Sequence, residues 1–133
     1  MSAPERTCVG CKGKDTQADL TRFVLVEGVL ERLDRDGSDF AADTARIIRS
    51  RSPTSLKLAF RLMREGKSHS LNDCLKMEYR VASRAVIAPD FQEGVRAVLL
   101  DKDGAPRWRP DQLAGLKDAD IAGYFAEIGR AHV

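Results

Sequence analysis

A chain of 133 residues, 43% hydrophobic and 32% charged, is long enough for one modest core and too short for a core plus a separate substrate domain. Aromatics at 6% suit a helix-rich chain better than a sandwich or barrel, and a net charge of +2 excludes the global basic field that marks many nucleic-acid binders. No apolar run approaches the roughly 18 residues of a membrane span and no secretory segment follows the polar opening MSAPERT, so a cytoplasmic protein with no membrane partner is expected.

Residues 1–17 carry Pro4, Gly10, Gly13 and the pair Cys8 and Cys11 without periodicity, and read as irregular structure. In residues 18–34, Leu20, Phe23, Val24, Leu30 and Leu33 fit a helical stripe, while RFVLV reads equally as a strand and Gly28 interrupts either. Ser38 then caps a helix whose buried face is expected to hold Phe40, Thr44, Ile47 and Ile48. Ser52 at an N-cap and Pro53 at the first helical position start the next, where the missing N–H of proline costs nothing. Its expected stripe is Leu56, Phe60 and Met63, with Gly66 as the stop and Lys57, Arg61 and Arg64 along a neighbouring face.

Ser70 followed by Asp73 resembles a capping box and opens a helix to about Ala88, stopped by Pro89. Leu71, Leu75, Ala82 and Ala85 form its expected apolar face, with Glu78 inside it. Asp90 with Glu93 repeats the cap pattern, and Phe91, Val95, Val98 and Leu99 face one way until Gly104 and Pro106 break the helix. A last helix starts near Asp118 and buries Ile121, Tyr124, Phe125 and Ile128. The fold class is mostly α: four to six short helices behind an irregular or short-strand leader.

Charge along the chain is polarised. Residues 46–67 hold Arg46, Arg49, Arg51, Lys57, Arg61, Arg64 and Lys67 against Glu65, whereas residues 111–127 hold Asp111, Asp118, Asp120 and Glu127 against Lys117. The basic face suits phosphate from RNA or a nucleotide-like cofactor, or is simply solvated. Cys8 and Cys11 have the spacing of half a zinc site, but four ligands are needed and only Cys74, His69 and His132 remain, so no metal is expected. Glu78 in an apolar face calls for an arginine partner, with Arg80, Arg84 and Arg96 as candidates, and no second carboxylate or nucleophile converges on it. Trp108, between Arg107 and Arg109, reads as a stacking platform or as a pin that fixes a loop to the core.

Two resemblances follow from these segments. The stretches LDRDGSDFAADTARIIRSRSPTSLKLAFRLMREG, SLNDCLKMEYRVASRA and DFQEGVRAVLLDKDGAPRWRP resemble, in order and spacing, the C-terminal part of bacterial 3-hydroxyisobutyryl-CoA hydrolases of the crotonase (enoyl-CoA hydratase/isomerase) superfamily. The opening ERTCVGCKGKDTQADLTRFVLVEGVL resembles instead the start of the YlxR family of small RNA-associated proteins, without that family's later glycine-arginine-glycine turn. Two segments are therefore expected, a leader at 1–27 and a crotonase-type helical region at 28–133.

The first resemblance implies a CoA thioester as family substrate and an active site in an upstream core, so no catalytic residue is carried onto this chain. It implies one cofactor contact, Lys102, which sits where many relatives have a lysine of an EKR motif near the CoA nucleotide; here the run is DKDG. The implied partner is a crotonase-type core, or a second copy meeting the same helix faces. The second resemblance implies RNA as partner, with Arg6, Lys12, Lys14 and Arg22 as its contacts.

Overall fold

The structure, a computed structural model, describes Glu5–Thr7, Lys14–Thr16 and residues 26–129. The two leader strands, β1 (Glu5–Thr7) and β2 (Lys14–Thr16), pair antiparallel with Arg6 opposite Asp15 and Thr7 opposite Lys14. Among the described residues six α-helices follow, and the mostly α class expected from the sequence holds.

The ambiguous segment resolves into helix α1, Val26–Asp36, with Val26 and Leu30 buried one turn apart. Gly37, at φ 75°, ends it in the left-handed conformation that costs a residue without Cβ nothing. Ser38 then caps α2, Asp39–Arg49, by accepting the Ala41 N–H at 3.2 Å. Ala41 and Ala45 are the buried residues of α2, and the Arg49–Asp34 pair at 2.5 Å ties it back to α1. Helix α3 is Pro53–Gly66, with Ser52 accepting the Ser55 N–H at 3.1 Å and Pro53 in its first turn.

Helix α4, Leu71–Ala85, starts where Ser70 accepts the Asp73 N–H and donates its hydroxyl to the Asp73 carboxylate at 2.7 Å. Helix α5, Pro89–Val95, runs into a π-helical turn, Arg96–Leu100, closed by the Asp101 N–H on the Arg96 carbonyl at 2.8 Å. After a stretch without regular secondary structure and a 3-10 turn at Leu113–Gly115, α6 spans Asp118–Phe125, where Asp120 accepts the Lys117 N–H.

The main core lies where α3, α4 and α6 meet: Leu58, Val81 and Ile121 are buried, and Leu62, Leu116, Tyr124 and Phe125 pack on them. Arg84 fastens α6 to α4 by donating to the Tyr124 carbonyl at 2.9 Å, one of the carbonyls left without an intrahelical donor near a helix C-terminus. Among the described residues, the apolar side chains that cover these elements are outnumbered by those that cover nothing. Phe40, Ile47, Met63, Leu71, Leu75, Tyr79, Phe91, Val98 and Leu99 are all exposed.

Four expected stripes are corrected accordingly. In α2 the inward face is Ala41 and Ala45, with Phe40 and Ile47 outside; in α3 it is Leu58, with Met63 79% exposed. In α4 it is Met77 and Val81, while Leu71 and Leu75 face out and Glu78 is exposed, so Glu78 needs no buried partner. In α5 and the π-turn it is Asp90 and Ala97, with Phe91, Val98 and Leu99 outside. In α2 and the π-turn the packed side is made of alanines and the larger apolar residues are left open, and there periodicity marked the larger side. Ile121 is buried as expected and Tyr124 and Phe125 are partly covered, whereas Ile128 is exposed.

The two serine caps are predicted to differ in weight. Ser38 lies at an exposed cap, so Ser38→Ala costs about 1 kcal/mol. Ser52 is buried and serves both the cap and the Asp90 carboxylate, so Ser52→Ala costs roughly 2–3 kcal/mol. Urea denaturation of the two variants checks the order.

Candidate functional site: the tail loop and the basic groove

The chemistry-bearing residues gather in two places. The first is the tail segment 90–111. Asp90, expected to cap α5, does not: the N-cap is Ala88, without a side-chain bond, and Asp90 points away from its own helix. Its carboxylate accepts the Ser52 hydroxyl and, at 2.9 Å, the Arg109 N–H. Ser52 and Asp90 are the buried polar residues of the described chain, each satisfied by the other. Trp108 donates its indole N–H to the Ser50 carbonyl at 2.9 Å, and its ring lies so close to α5 that a Cβ on Gly94 would sit 3.5 Å from it. The tryptophan is a pin.

Around the π-turn, one guanidinium organises the loop. Arg96 donates to both oxygens of Glu93 (2.9 and 2.7 Å), to Asp101 at 2.6 Å, to Asp103 at 2.7 Å and to the Ala105 carbonyl at 3.3 Å. Glu93 also accepts the Arg107 N–H at 2.8 Å, which joins the returning segment to α5. The Arg96 guanidinium, and after it the Arg107 amide, lower the Glu93 carboxyl to about 2. Glu93, Asp103 and Asp101, in that order, raise Arg96. The Ala105 amide, and then Arg96, hold Asp103 below the usual carboxylate range.

Lys102 stands at the tip of this turn, exposed and at φ 54°, a conformation a residue with a Cβ adopts only at a cost. Two clamped aspartates, Asp101 and Asp103, flank it, and it has no hydrogen bond or ion pair among the described residues.

The second place is a groove of about 540 Å³ between α1, α3 and α6, with Val26, Phe60 and Ile121 on its floor. The basic face expected on α3 lines it, but its charges are engaged. Lys57 pairs with Glu27 at 3.3 Å; Arg61 pairs with Glu65 at 2.5 Å and lies 4.3 Å from the centre of the Phe125 ring; Arg64 lies 5.9 Å from that of Phe60. This face stabilises helix packing and is not a field of open cations.

The remaining candidates do not join either place. His69 Nδ1 lies 2.6 Å from the Glu65 carbonyl and the half-buried Cys74 donates to the Gly66 carbonyl at 3.6 Å. Among the described residues no group of three or more His, Cys, Asp or Glu is placed to hold a metal. Cys8, Cys11, Lys12, Arg22 and His132 lie outside the described residues, and Arg6 and Lys14 are described only as backbone partners in the β1–β2 ladder. Sequence reasoning passed over Arg96 as an organiser, although four acids within seven residues of it, and a glycine at 104, were the available signal.

The pattern described as enoyl-CoA hydratase/isomerase matches residues 12–125, and the chain belongs to that family. The match begins inside the leader, so it covers most of the stretch whose opening resembles the YlxR family.

Within the family, the chain is similar to mitochondrial 3-hydroxyisobutyryl-CoA hydrolases. It is 45% identical to that of Mus musculus over 104 residues, covering 78% of this chain and 27% of the mouse enzyme. It is 43% identical to that of Homo sapiens over 104 residues and to that of Xenopus laevis over 128, the latter covering 96% of this chain and 33% of the frog enzyme. Among solved structures it resembles a carnitinyl-CoA dehydratase from Mycobacterium thermoresistibile, with TM-score 0.74 and 33% identity over 81% of this chain and 31% of that one. The chain thus spans about a quarter to a third of the length of the relatives it matches. Among the described residues no helix is long and apolar enough to cross a membrane.

The clamp makes a pH prediction. Because the Glu93 pKa is lowered from 4.5 to about 2 on folding, its contribution is present above pH 4.5 and is lost as pH falls from there toward 2. Trp108 fluorescence, followed on acidification, is expected to change across that window in the parent chain. In Glu93→Gln the change should be smaller, because the variant has no carboxylate to protonate there.

Proposed function

We propose that this chain supplies the helical part of an acyl-CoA thioester hydrolase acting on 3-hydroxyisobutyryl-CoA, and that it acts only with its open apolar faces covered by a crotonase-type core. The observation that carries the reading is the 45% identity to the mouse hydrolase over a stretch that is 27% of that enzyme. The exposed side chains of α2, α4 and α5 support the second half. Large hydrophobics at helical spacing with nothing on them are what a helix shows when its partner is another part of a larger fold.

Lys102 is the substrate contact in this reading. An exposed ammonium without a partner, on a turn held by the Arg96 clamp, is suited to a charge-assisted bond with a phosphate oxygen of the CoA nucleotide. It binds and orients, and takes no part in acyl transfer.

The isolated chain is expected to release no CoA from 3-hydroxyisobutyryl-CoA above a heat-killed control; turnover by the isolated chain would overturn the reading. A chimera placing residues 28–129 in the matching segment of the mouse hydrolase should be active. In that chimera Lys102→Gln should raise KM about tenfold with kcat held, the loss of one charge-assisted hydrogen bond.

A further inference from the structure

The tail loop satisfies its acids and its bases unequally. Asp90, Glu93, Asp101 and Asp103 all carry hydrogen bonds from within the chain, two or more each for Asp90, Glu93 and Asp103. The guanidiniums of Arg107 and Arg109 donate to nothing among the described residues, although the backbone N–H of each is fixed, to Glu93 and to Asp90. Arg107 and Arg109 are exposed and flank Trp108 in the chain. Trp108 is pinned by its indole N–H to the Ser50 carbonyl. Both arginines line a cleft of about 310 Å³ with Pro89, Gln92, Glu93 and Arg96.

The two anions beside that cleft are already claimed: the Glu93 carboxylate by Arg96 and the Arg107 N–H, the Asp90 carboxylate by Ser52 and the Arg109 N–H. What the cleft offers an incoming group is therefore donors. Two guanidinium forks, with backbones held at fixed positions, match the geometry of a tetrahedral oxyanion with several acceptor oxygens.

We infer that the cleft between α5 and the 107–109 segment is a phosphate-binding site, with Arg107 and Arg109 as its ligands. Two sources share this chemistry: the phosphates of a CoA-type nucleotide, and a free phosphorylated metabolite. The first source rests on the acyl-CoA reading above; the site itself does not, because it uses neither Lys102 nor the apolar faces.

The chain's one tryptophan, lying between the two ligands, is the reporter. Trp108 fluorescence of the full chain is titrated at low salt with pyrophosphate, with adenosine 3′,5′-bisphosphate and, as a non-phosphate anion, with citrate. Saturable quenching by a phosphate probe, weakened at least about tenfold in Arg107→Gln/Arg109→Gln and unchanged in Arg32→Gln, an exposed arginine on α1, is the expected result.

Tighter binding of the bisphosphate than of pyrophosphate assigns the nucleotide source; equal or weaker binding assigns the free one. No saturation, equal binding of citrate, or an equal loss in Arg32→Gln overturns the site, the last by reducing it to diffuse charge. Lys102→Gln is titrated separately. An effect confined to the bisphosphate bears on the acyl-CoA reading, and no effect leaves the cleft result standing, so the two ideas fail independently.

Discussion

The Asp90 carboxylate is the contact on which the rest of the tail depends. Taking a charged group out of water costs several kcal/mol unless hydrogen bonds replace its hydration. Here the replacements come from the Ser52 hydroxyl at the start of α3 and the Arg109 N–H in the returning segment. One group therefore fixes three pieces of chain: the α2–α3 corner, the first turn of α5 and the segment that carries Trp108. Ser52 accepts the Ser55 N–H at the same time, so the cap of α3 and the anchorage of the tail are a single network. Such a network is cooperative: loss of one member leaves the others buried with unmet hydrogen-bonding capacity.

With that anchor in place, the Arg96 clamp has a fixed base to build on. The π-turn widens the backbone after α5, and both Asp101 and Asp103 reach the guanidinium of Arg96, which also holds Glu93 one turn back. Three carboxylates on one guanidinium leave an acid excess that the neighbouring cations, Lys102, Arg107 and Arg109, balance without contacting it through their side chains. The loop is thus rigid through its acids and open through its bases. A surface that recognises anions needs this division, because donors spent on internal ion pairs are not available to a ligand, as Lys57 and Arg61 in the other groove illustrate.

The sequence made the helices legible and left their packing hidden, for a physical reason. Caps are local: Ser38, Ser52 and Ser70 each bond an amide three residues on, and each appears in the structure as expected. Gly28 within α1 is tolerated because Val26 and Leu30 bury on one side of it. Burial is not local. An apolar stripe says that a face avoids water and is silent on what covers it, so Phe40, Leu71, Leu75 and Phe91 were expected inside and stand outside. In α2 and the π-turn the intramolecular contacts belong to Ala41, Ala45 and Ala97, whose hydropathy signal is faint beside that of phenylalanine and leucine. The same limit applied at the tail: Asp90 followed by Glu93 reads as a local cap, whereas its partners are 38 and 19 residues away.

This imbalance also bears on how the chain exists in water. At about 25 cal/mol per Å² of apolar surface, a side chain such as Leu71 or Phe91 left mostly in solvent forgoes on the order of 1–2 kcal/mol that burial would supply. A dozen such residues forgo an amount comparable to the whole stability of a small domain. The cluster of Leu58, Val81 and Ile121 lies between α3, α4 and α6, so the apolar sides of α2, α4 and α5 lie outside it and add nothing to it. The polar tail follows the opposite rule: its bonds close within the chain and do not wait for a partner. The helical array thus leaves much of its apolar surface in water, while the tail loop meets its polar needs within the chain, and any ligand that reads Lys102, Arg107 or Arg109 meets a preformed surface.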